Sequence, residues 1–165
     1  MPEPTSKAEV IAAMVSARTE FDSLIKQIDR RTMTRPGAAG EWSIKDIIAH
    51  VTSYDRWLAL TLGLRGIKPP DLWIDDSPLD DFNRLVFKEN RDKPLDEVLR
   101  ESEEIWGEIL KDTQAAPEAY LFNERSVEGV PYRFRACDIL RSESYGHYLD
   151  HVPALHAWLE ATKRP

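Results

Sequence analysis

The chain has 165 residues, of which 42% are hydrophobic and 31% charged, a composition ordinary for one soluble globular domain. Its formal net charge of -7 argues against a nucleic-acid partner, because binding phosphates needs a basic face. No apolar run approaches the ~20 residues of a membrane span, and the polar N-terminus does not resemble a signal peptide, so no membrane contact is expected. The single cysteine, Cys137, excludes an internal disulfide and predicts a cytoplasmic protein.

The first two helices are predicted at residues 5–31 and 43–63, where apolar side chains recur every three or four positions. Ser43 followed by Asp46 forms a capping-box pattern at the start of the second helix, although Asp is a weaker partner than Glu. Asp46 also lies one turn before His50. It could therefore orient that ring instead of capping the helix, and both interpretations stay open.

A long connection is predicted at residues 64–77, which contain glycine, two prolines and several aspartates. Fourteen extended residues span roughly 46 Å, more than the ~30 Å length of a twenty-residue helix. The connection could therefore run the length of a bundle. A third helix is predicted at 78–111, interrupted near Asn90 to Pro94, with Pro94 as the first residue of its second part.

The stretch 113–135 has no sustained helical period, so we predict a second long connection there. A short hairpin around Glu128 and Gly129 is one alternative for its structure. The stretch is also locally basic within an acidic chain, which is typical of a solvated loop but would also suit anion binding. The basic residues are Arg125, Arg133 and Arg135.

A fourth helix is predicted at residues 136–162, and Pro153 inside it predicts a kink because proline donates no backbone hydrogen bond. Cys137, near its start, is interpreted as an inert small apolar residue. Four helices without a credible strand pattern predict an all-α four-helix bundle that forms one domain over residues 1–165.

Three of the four histidines lie in the predicted fourth helix. His147 and His151 are four residues apart, so they project from one core-facing row, and His50 lies beside the apolar stripe of helix two. Buried imidazoles are costly unless their nitrogens find partners, and one divalent ion satisfies three nitrogens at once. The pattern predicts a site for zinc or nickel, with ordinary core or surface histidines as the alternative. His156 is off this row and is interpreted as structural or surface.

The segment GEWSIKDIIAHVTSYDRWL resembles the second helix of the DinB-like (YfiT-like) four-helix-bundle superfamily, with its Trp-Ser/Thr-x-Lys-Asp-x-x-Ala-His pattern. Residues 82–110 and the segment HYLDHVPALHAWL further resemble the ClbS/DfsB-like branch. The resemblance implies an up-down-down-up bundle and a metal-ligand triad at His50, His147 and His151. It also implies a range of activities, which includes metal-dependent transferases that use low-molecular-weight thiols, isomerases, and proteins without known activity.

Three further residues are weaker candidates for catalysis. Tyr145 and Tyr148 flank the histidine pair and could donate hydrogen bonds to a substrate, or they could be core aromatics. Asp55 occupies a position where relatives often carry Glu, which leaves its role open.

These observations leave three functions open. The first is a metal-dependent transferase or hydrolase acting on a small electrophile or thiol conjugate, with a low-molecular-weight thiol as a candidate co-substrate. The second is a metal-independent, ClbS-like hydrolase or sequestering resistance protein. The third is a non-catalytic dimeric binding protein. Five tryptophans are many for a slim bundle, so we expect some at a homodimer interface, as in relatives of this fold.

Overall fold

A computed structural model describes residues 3–61, 79–126 and 133–162. A turn of 3-10 helix (Arg30–Thr32) follows the first helix, and a π-helical segment (Arg141–Tyr145) joins the last two. In these ranges the only β pairings are two isolated bridges. The helices are α1 (Lys7–Gln27), α2 (Ile44–Thr61), α3 (Leu79–Asn90), α4 (Leu95–Ala115), α5 (Glu118–Phe122), α6 (Ala136–Leu140) and α7 (Gly146–Thr162).

The helices α1, α2, α4 and α7 form the body of the molecule, and the all-α prediction is confirmed. Helix α2 packs against α4 and α7, α1 packs against α7 and α4, and α3 packs against α2. The apolar rows of these helices meet in one core, as amphipathic helices require. Its largest fully buried apolar side chains include Met14, Phe21, Ile47, Leu58, Ile109 and Leu140.

The first helix is shorter than predicted. It begins after Ser6, whose side chain accepts a hydrogen bond from the Glu9 N–H, and it ends at Gln27 instead of residue 31. Ile28 has an extended backbone with ψ of 130°, which stops the helical hydrogen bonding. Asp29 then caps the separate 3-10 turn by accepting from the Arg31 N–H at 3.0 Å.

The interruption in the third predicted helix is confirmed, because α3 ends at Asn90 and α4 begins at Leu95. Pro94 was predicted as the first residue of the second part, but it is the N-cap. Its backbone is extended (ψ 145°), and its carbonyl accepts from the N–H groups of Glu97 and Val98. Helix α4 also continues past residue 111 to Ala115, because this last turn is still packed in the core, where Thr113 is fully buried.

The stretch 113–135 contains more regular structure than predicted, since it includes the end of α4 and the short helix α5. Arg125 and Phe134 then exchange two backbone hydrogen bonds, Arg125 N to Phe134 O at 2.9 Å and the reverse at 3.1 Å. The predicted hairpin tip and the connection at 64–77 lie outside the described residues. The crossover required by an up-down-down-up order therefore stays a prediction.

A buried lysine ties α2 to the junction between α3 and α4. The Nζ of Lys45 donates to the backbone carbonyls of Asn90 (3.3 Å), Arg91 (2.5 Å) and Lys93 (3.1 Å). Lys45 is only 6% exposed. A cation at this position binds carbonyls at and just after the C-terminus of α3 and complements the helix dipole.

The predicted fourth helix spans residues 136–162 as one continuous helical path, but it contains an unpredicted π-helical segment. The Gly146 N–H bonds to the carbonyl of Arg141, five residues back. A Cβ atom at Gly146 would lie only 2.2 Å from that carbonyl oxygen, so the tight path accommodates glycine. Insertions of this kind rotate the following residues about the helix axis and are frequent at functional sites.

Candidate metal centre

Helices α2 and α7 bring three histidines together. The Nε2 of His147 lies 2.9 Å from the Nε2 of His50 and 3.1 Å from the Nε2 of His151. One ligand atom from each of the three rings lies within 4.8 Å of the others. His50 is buried, while His147 and His151 are half-buried. The row predicted from the sequence therefore converges with the histidine of the neighbouring helix.

The environment keeps these imidazoles neutral. Burial lowers the pKa of His50 to about 2, with help from the charges of His147 and His151. Burial, and then His151, lower the pKa of His147 to about 4, while the Glu143 backbone opposes the shift. The pKa of His151 is also lowered by burial, against the opposing charge of Asp150. Neutral imidazole is the form that coordinates a metal ion.

The opposite ring nitrogens of His50 and His147 have no orienting carboxylate among the described residues. The Nδ1 atoms of His50 and His147 are buried and make no hydrogen bond within the described part of the chain. Asp46, which could have oriented His50, accepts instead from the Ser43 N–H (2.9 Å) and hydroxyl (2.6 Å). Of the two interpretations of Asp46, the structure therefore supports the capping box.

Two aromatic side chains hold the rings edge-on. The ring centroid of Trp42 lies 4.8 Å from that of His50. The ring centroid of Tyr54 lies 4.8 Å from His50 and 4.4 Å from His147. Such packing restricts the imidazoles of His50 and His147 to few orientations, which preorganises their Nε2 atoms.

The histidines open into a pocket of about 600 Å³, a size typical of small-molecule sites. Tyr54 lines it and donates its hydroxyl hydrogen to Asn83 Oδ1 at 3.1 Å. Helical spacing could have identified Glu143 and Asp150, which lie within about one turn of His147. Asn83 comes from α3, and nothing in the sequence pattern pointed to it. The other lining residues are Arg141, Ser142 and Gly146.

Two of the weaker catalytic candidates, Tyr148 and Asp55, do not line this pocket but form a buried polar chain. Arg18 Nη1 donates to the Tyr148 hydroxyl at 2.8 Å, and that hydroxyl donates to Asp55 Oδ2. Burial raises the pKa of Asp55 to about 6, against opposing effects of Tyr148, Ser144 and Arg18. The Ser144 hydroxyl lowers this pKa by proximity, although its geometry falls short of a hydrogen bond. Burial, and then Asp55, raise the pKa of Tyr148 well above its usual value.

The third candidate, Tyr145, is 1% exposed and does not line the pocket. Burial raises its pKa to about 12, and its hydroxyl makes no hydrogen bond to the described residues. Its environment is that of a core aromatic. His156 is exposed, in agreement with its interpretation as a surface residue. Burial raises the pKa of the Cys137 thiol, which fits an inert side chain.

The three arginines of the stretch 113–135 all make contacts within the protein. The Arg125 guanidinium lies 3.3 Å from the ring centroid of Tyr120. Arg133 pairs with Glu124 at 3.4 Å, and Arg135 pairs with Asp138 and Glu3. These contacts do not favour the alternative of an anion site.

The described helices include none that is long and apolar enough to cross a membrane.

Several solved structures share this fold. An uncharacterised protein from Escherichia coli UTI89 is 14% identical with a TM-score of 0.81, covering 97% of this chain and 96% of that chain. DfsB, described as a sibling lethal factor precursor, is 17% identical with a TM-score of 0.79, covering 99% and 100%. The colibactin self-resistance protein ClbS, solved in complex with double-stranded DNA, is 13% identical with a TM-score of 0.76, covering 96% and 98%.

Because the sequence identities are low, these structures show only that the fold is shared. No curated protein matches the sequence. The sequence profile of the mycothiol maleylpyruvate isomerase N-terminal domain matches residues 15–134, a range that contains His50 and stops before His147 and His151. The resemblance to the DinB-like superfamily is thereby confirmed, and ClbS and DfsB share the fold of this chain. The chain belongs to the mycothiol maleylpyruvate isomerase N-terminal domain family, within the DinB-like superfamily.

Proposed function

We propose that this protein binds one divalent metal ion at His50, His147 and His151 and acts as a transferase or hydrolase on a small electrophile or thiol conjugate. The observation that carries the proposal is the convergence of three neutral imidazoles, with Nε2 separations of 2.9 and 3.1 Å, at the wall of a 600 Å³ pocket. Imidazole nitrogen suits zinc and nickel, the two ions that we favour.

The donor set fits such an ion. Three Nε2 atoms that lie this close together are best satisfied by one cation that binds them all. Coordination through Nε2 leaves the proton of each neutral ring on Nδ1. A bound ion supplies Lewis acidity toward a substrate oxygen or a thiolate sulfur.

The surrounding residues suit a small polar substrate. Tyr54 and Asn83 form a hydrogen-bonded pair in the pocket wall, which places polar groups beside a ligand in the pocket. Arg141 contributes a positive charge to the rim, and Glu143 and Asp150 contribute negative ones. The name of the matched family refers to mycothiol, which supports a low-molecular-weight thiol as co-substrate.

Metal content of protein purified without a nickel column tests the proposal directly. We expect about one zinc or nickel ion per chain by elemental analysis. His147→Ala and His151→Ala should lose the ion, whereas His156→Ala, an exposed histidine of the same helix, should retain it. A folded wild-type protein that binds no divalent ion at neutral pH would contradict a metal-dependent function.

The similarity of the fold to that of the self-resistance protein ClbS favours a second candidate function, that of a metal-independent hydrolase or sequestering resistance protein. Turnover of a panel of small electrophiles, with and without added thiol, separates the two. Activity that survives EDTA and the His147→Ala substitution supports the second candidate. Binding without turnover would instead indicate the third function, a non-catalytic dimeric binding protein.

We expect the partner of this pocket to be a small molecule. We also propose that the protein is cytoplasmic. The bound DNA in the ClbS structure is a property of ClbS. The net charge of -7 of the present chain disfavours the binding of nucleic-acid phosphates. Fluorescence anisotropy with a labelled DNA duplex at low salt should show no binding at micromolar protein.

A further inference from the structure

A second pocket, of about 500 Å³, lies between α1 and α4 and shares no lining residue with the histidine pocket. Its volume falls in the range of small-molecule sites. Much of its wall is apolar. The apolar lining residues are Ile25, Ile28, Met33, Leu99 and Trp106.

A buried arginine lines this apolar pocket. Arg18 is 7% exposed, and its Nη1 donates to the Tyr148 hydroxyl (2.8 Å) and to the Ser102 carbonyl (3.4 Å). Its Nε faces Asp22 Oδ1 at 2.9 Å. Its Nη2 makes no hydrogen bond to the described residues and is not fully buried, so it reaches open space. The open space that Arg18 lines is this pocket.

Among the other charged groups that line the pocket, one cation and one anion form no ion pair with the described residues. Asp22 is paired with Arg18, and Arg30 is paired with Asp96. Lys26 on α1 and Glu103 on α4 line the pocket, are exposed, and make no ion pair with the described residues. Three cationic and two anionic side chains therefore line a pocket of an otherwise acidic protein.

We propose that this pocket binds a small carboxylate with an apolar body. The Nη2 of Arg18 offers two unused N–H donors beside an apolar wall, and guanidinium groups bind carboxylates with strong, directional hydrogen bonds. Tyr148, Ser102 and Asp22 already fix the guanidinium, so little side-chain entropy is lost on binding. Lys26 adds attraction at the rim, and Glu103 opposes it.

Isothermal titration of the full-length protein with 4-phenylbutyrate, and with the neutral 4-phenylbutanamide as the matched probe, tests the proposal. We expect a dissociation constant on the order of 1 mM for the carboxylate and at least ten-fold weaker binding of the amide. The same titration of His147→Ala should give the same values, which separates this pocket from any ion held by the histidines.

Exposed variants locate the site without disturbing the core. Lys26→Gln should weaken binding about two- to five-fold, and Glu103→Gln should strengthen it by a similar factor. Lys88→Gln makes the same charge change on α3, away from the pocket, and should leave binding unchanged. Equal binding of acid and amide, no binding of either at ten times the expected constant, equal effects of the Lys26 and Lys88 changes, or loss of binding in His147→Ala would each overturn the proposal.

Discussion

Arg18, Tyr148 and Asp55 place an unusual amount of polarity inside a small helical core. The three side chains are at most 7% exposed and are joined by two hydrogen bonds. A buried charge is tolerated only when it is paired and hydrogen-bonded. Arg18 meets that condition. Asp55 is less well provided for, because its Oδ1 has no hydrogen-bond partner in the described structure. It should therefore control how stability varies with pH.

We predict that Asp55→Asn becomes increasingly stable relative to wild type as pH rises from about 4 to about 6. Burial raises the folded-state pKa of Asp55 to about 6, above the unfolded value near 3.9. Between these values the unfolded chain releases a proton that the folded chain retains, so wild type loses up to about 1.4 kcal/mol per pH unit. Asparagine keeps an acceptor for the Tyr148 hydroxyl and does not titrate.

Urea unfolding at pH 4, 5, 6 and 7 measures this difference. Asp92→Asn, at an exposed position, serves as the control and should differ from wild type by a small, nearly constant amount. A pH-independent difference between wild type and Asp55→Asn would contradict the raised pKa.

At the scale of elements, the Trp-Ser-x-Lys-Asp pattern has a structural explanation at each described position. Trp42 packs on His50, and Ser43 with Asp46 caps α2. Lys45 satisfies three carbonyls at the junction of α3 and α4. The pattern thus fixes where α2 starts and how the α3–α4 junction docks on it, which positions His50.

We predict that Lys45→Met destabilises the protein by about 1–3 kcal/mol. The change leaves carbonyls at a part-buried helix end without their donor, and unsatisfied buried acceptors cost this much. Lys88→Met, at an exposed position in the last turn of α3, should stay within about 0.5 kcal/mol of wild type. Denaturant unfolding at pH 7 gives both values, and equal stabilities of the two variants would disprove the capping role.

Two glycines of the described helices predict opposite responses to alanine. A Cβ at Gly146 would meet the Arg141 carbonyl oxygen at 2.2 Å, whereas a Cβ at Gly107 has no neighbour within 4 Å among the described residues. Gly107→Ala should stabilise the protein by about 0.5–1 kcal/mol through helix propensity. Gly146→Ala should destabilise it by about 1–3 kcal/mol, because the π-helical segment must rearrange.

Thermal unfolding checks both glycine variants, and metal content adds a second measurement. Because Gly146 directly precedes His147, a rearranged π-helical segment should also lower metal retention in Gly146→Ala. Gly107→Ala should bind metal as wild type does. Similar stabilities of the two variants would contradict the role assigned to Gly146.

For the whole molecule, the tryptophans give less support to a dimer than the sequence suggested. Trp158 is buried, the other three described tryptophans are half-buried, and Trp73 lies outside the described residues. Among the described residues, Val15 is the one large hydrophobic side chain that is exposed. An interface is therefore not required to bury these tryptophans.

A homodimer stays a prediction from the resemblance of this chain to its relatives. Sedimentation velocity at protein concentrations of about 1–50 µM tests for the dimer, and association should appear as a sedimentation coefficient that rises with concentration. Salt should affect it little, because interfaces of stable homodimers are predominantly apolar. A constant monomer value across the range would contradict the prediction.

The helical periods, the capping box and the row of histidines were all readable from the sequence. Each depends on residues three or four apart, and the helix geometry fixes where such side chains point. The break before Pro94 was readable for the same local reason. Exact helix ends, such as Gln27 and Ala115, were not, because they depend on how each last turn packs in the core.

Only the tertiary structure decided which residues meet across the bundle. Asn83 of α3 reaches the histidine pocket, and Arg18 of α1 reaches Tyr148, although 130 positions separate that last pair. The π-helical segment before Gly146 sets the rotation of the histidine row about the helix axis. These relations depend on the relative rotation and spacing of helices distant in the chain, which packing of the whole core determines and local periodicity does not encode.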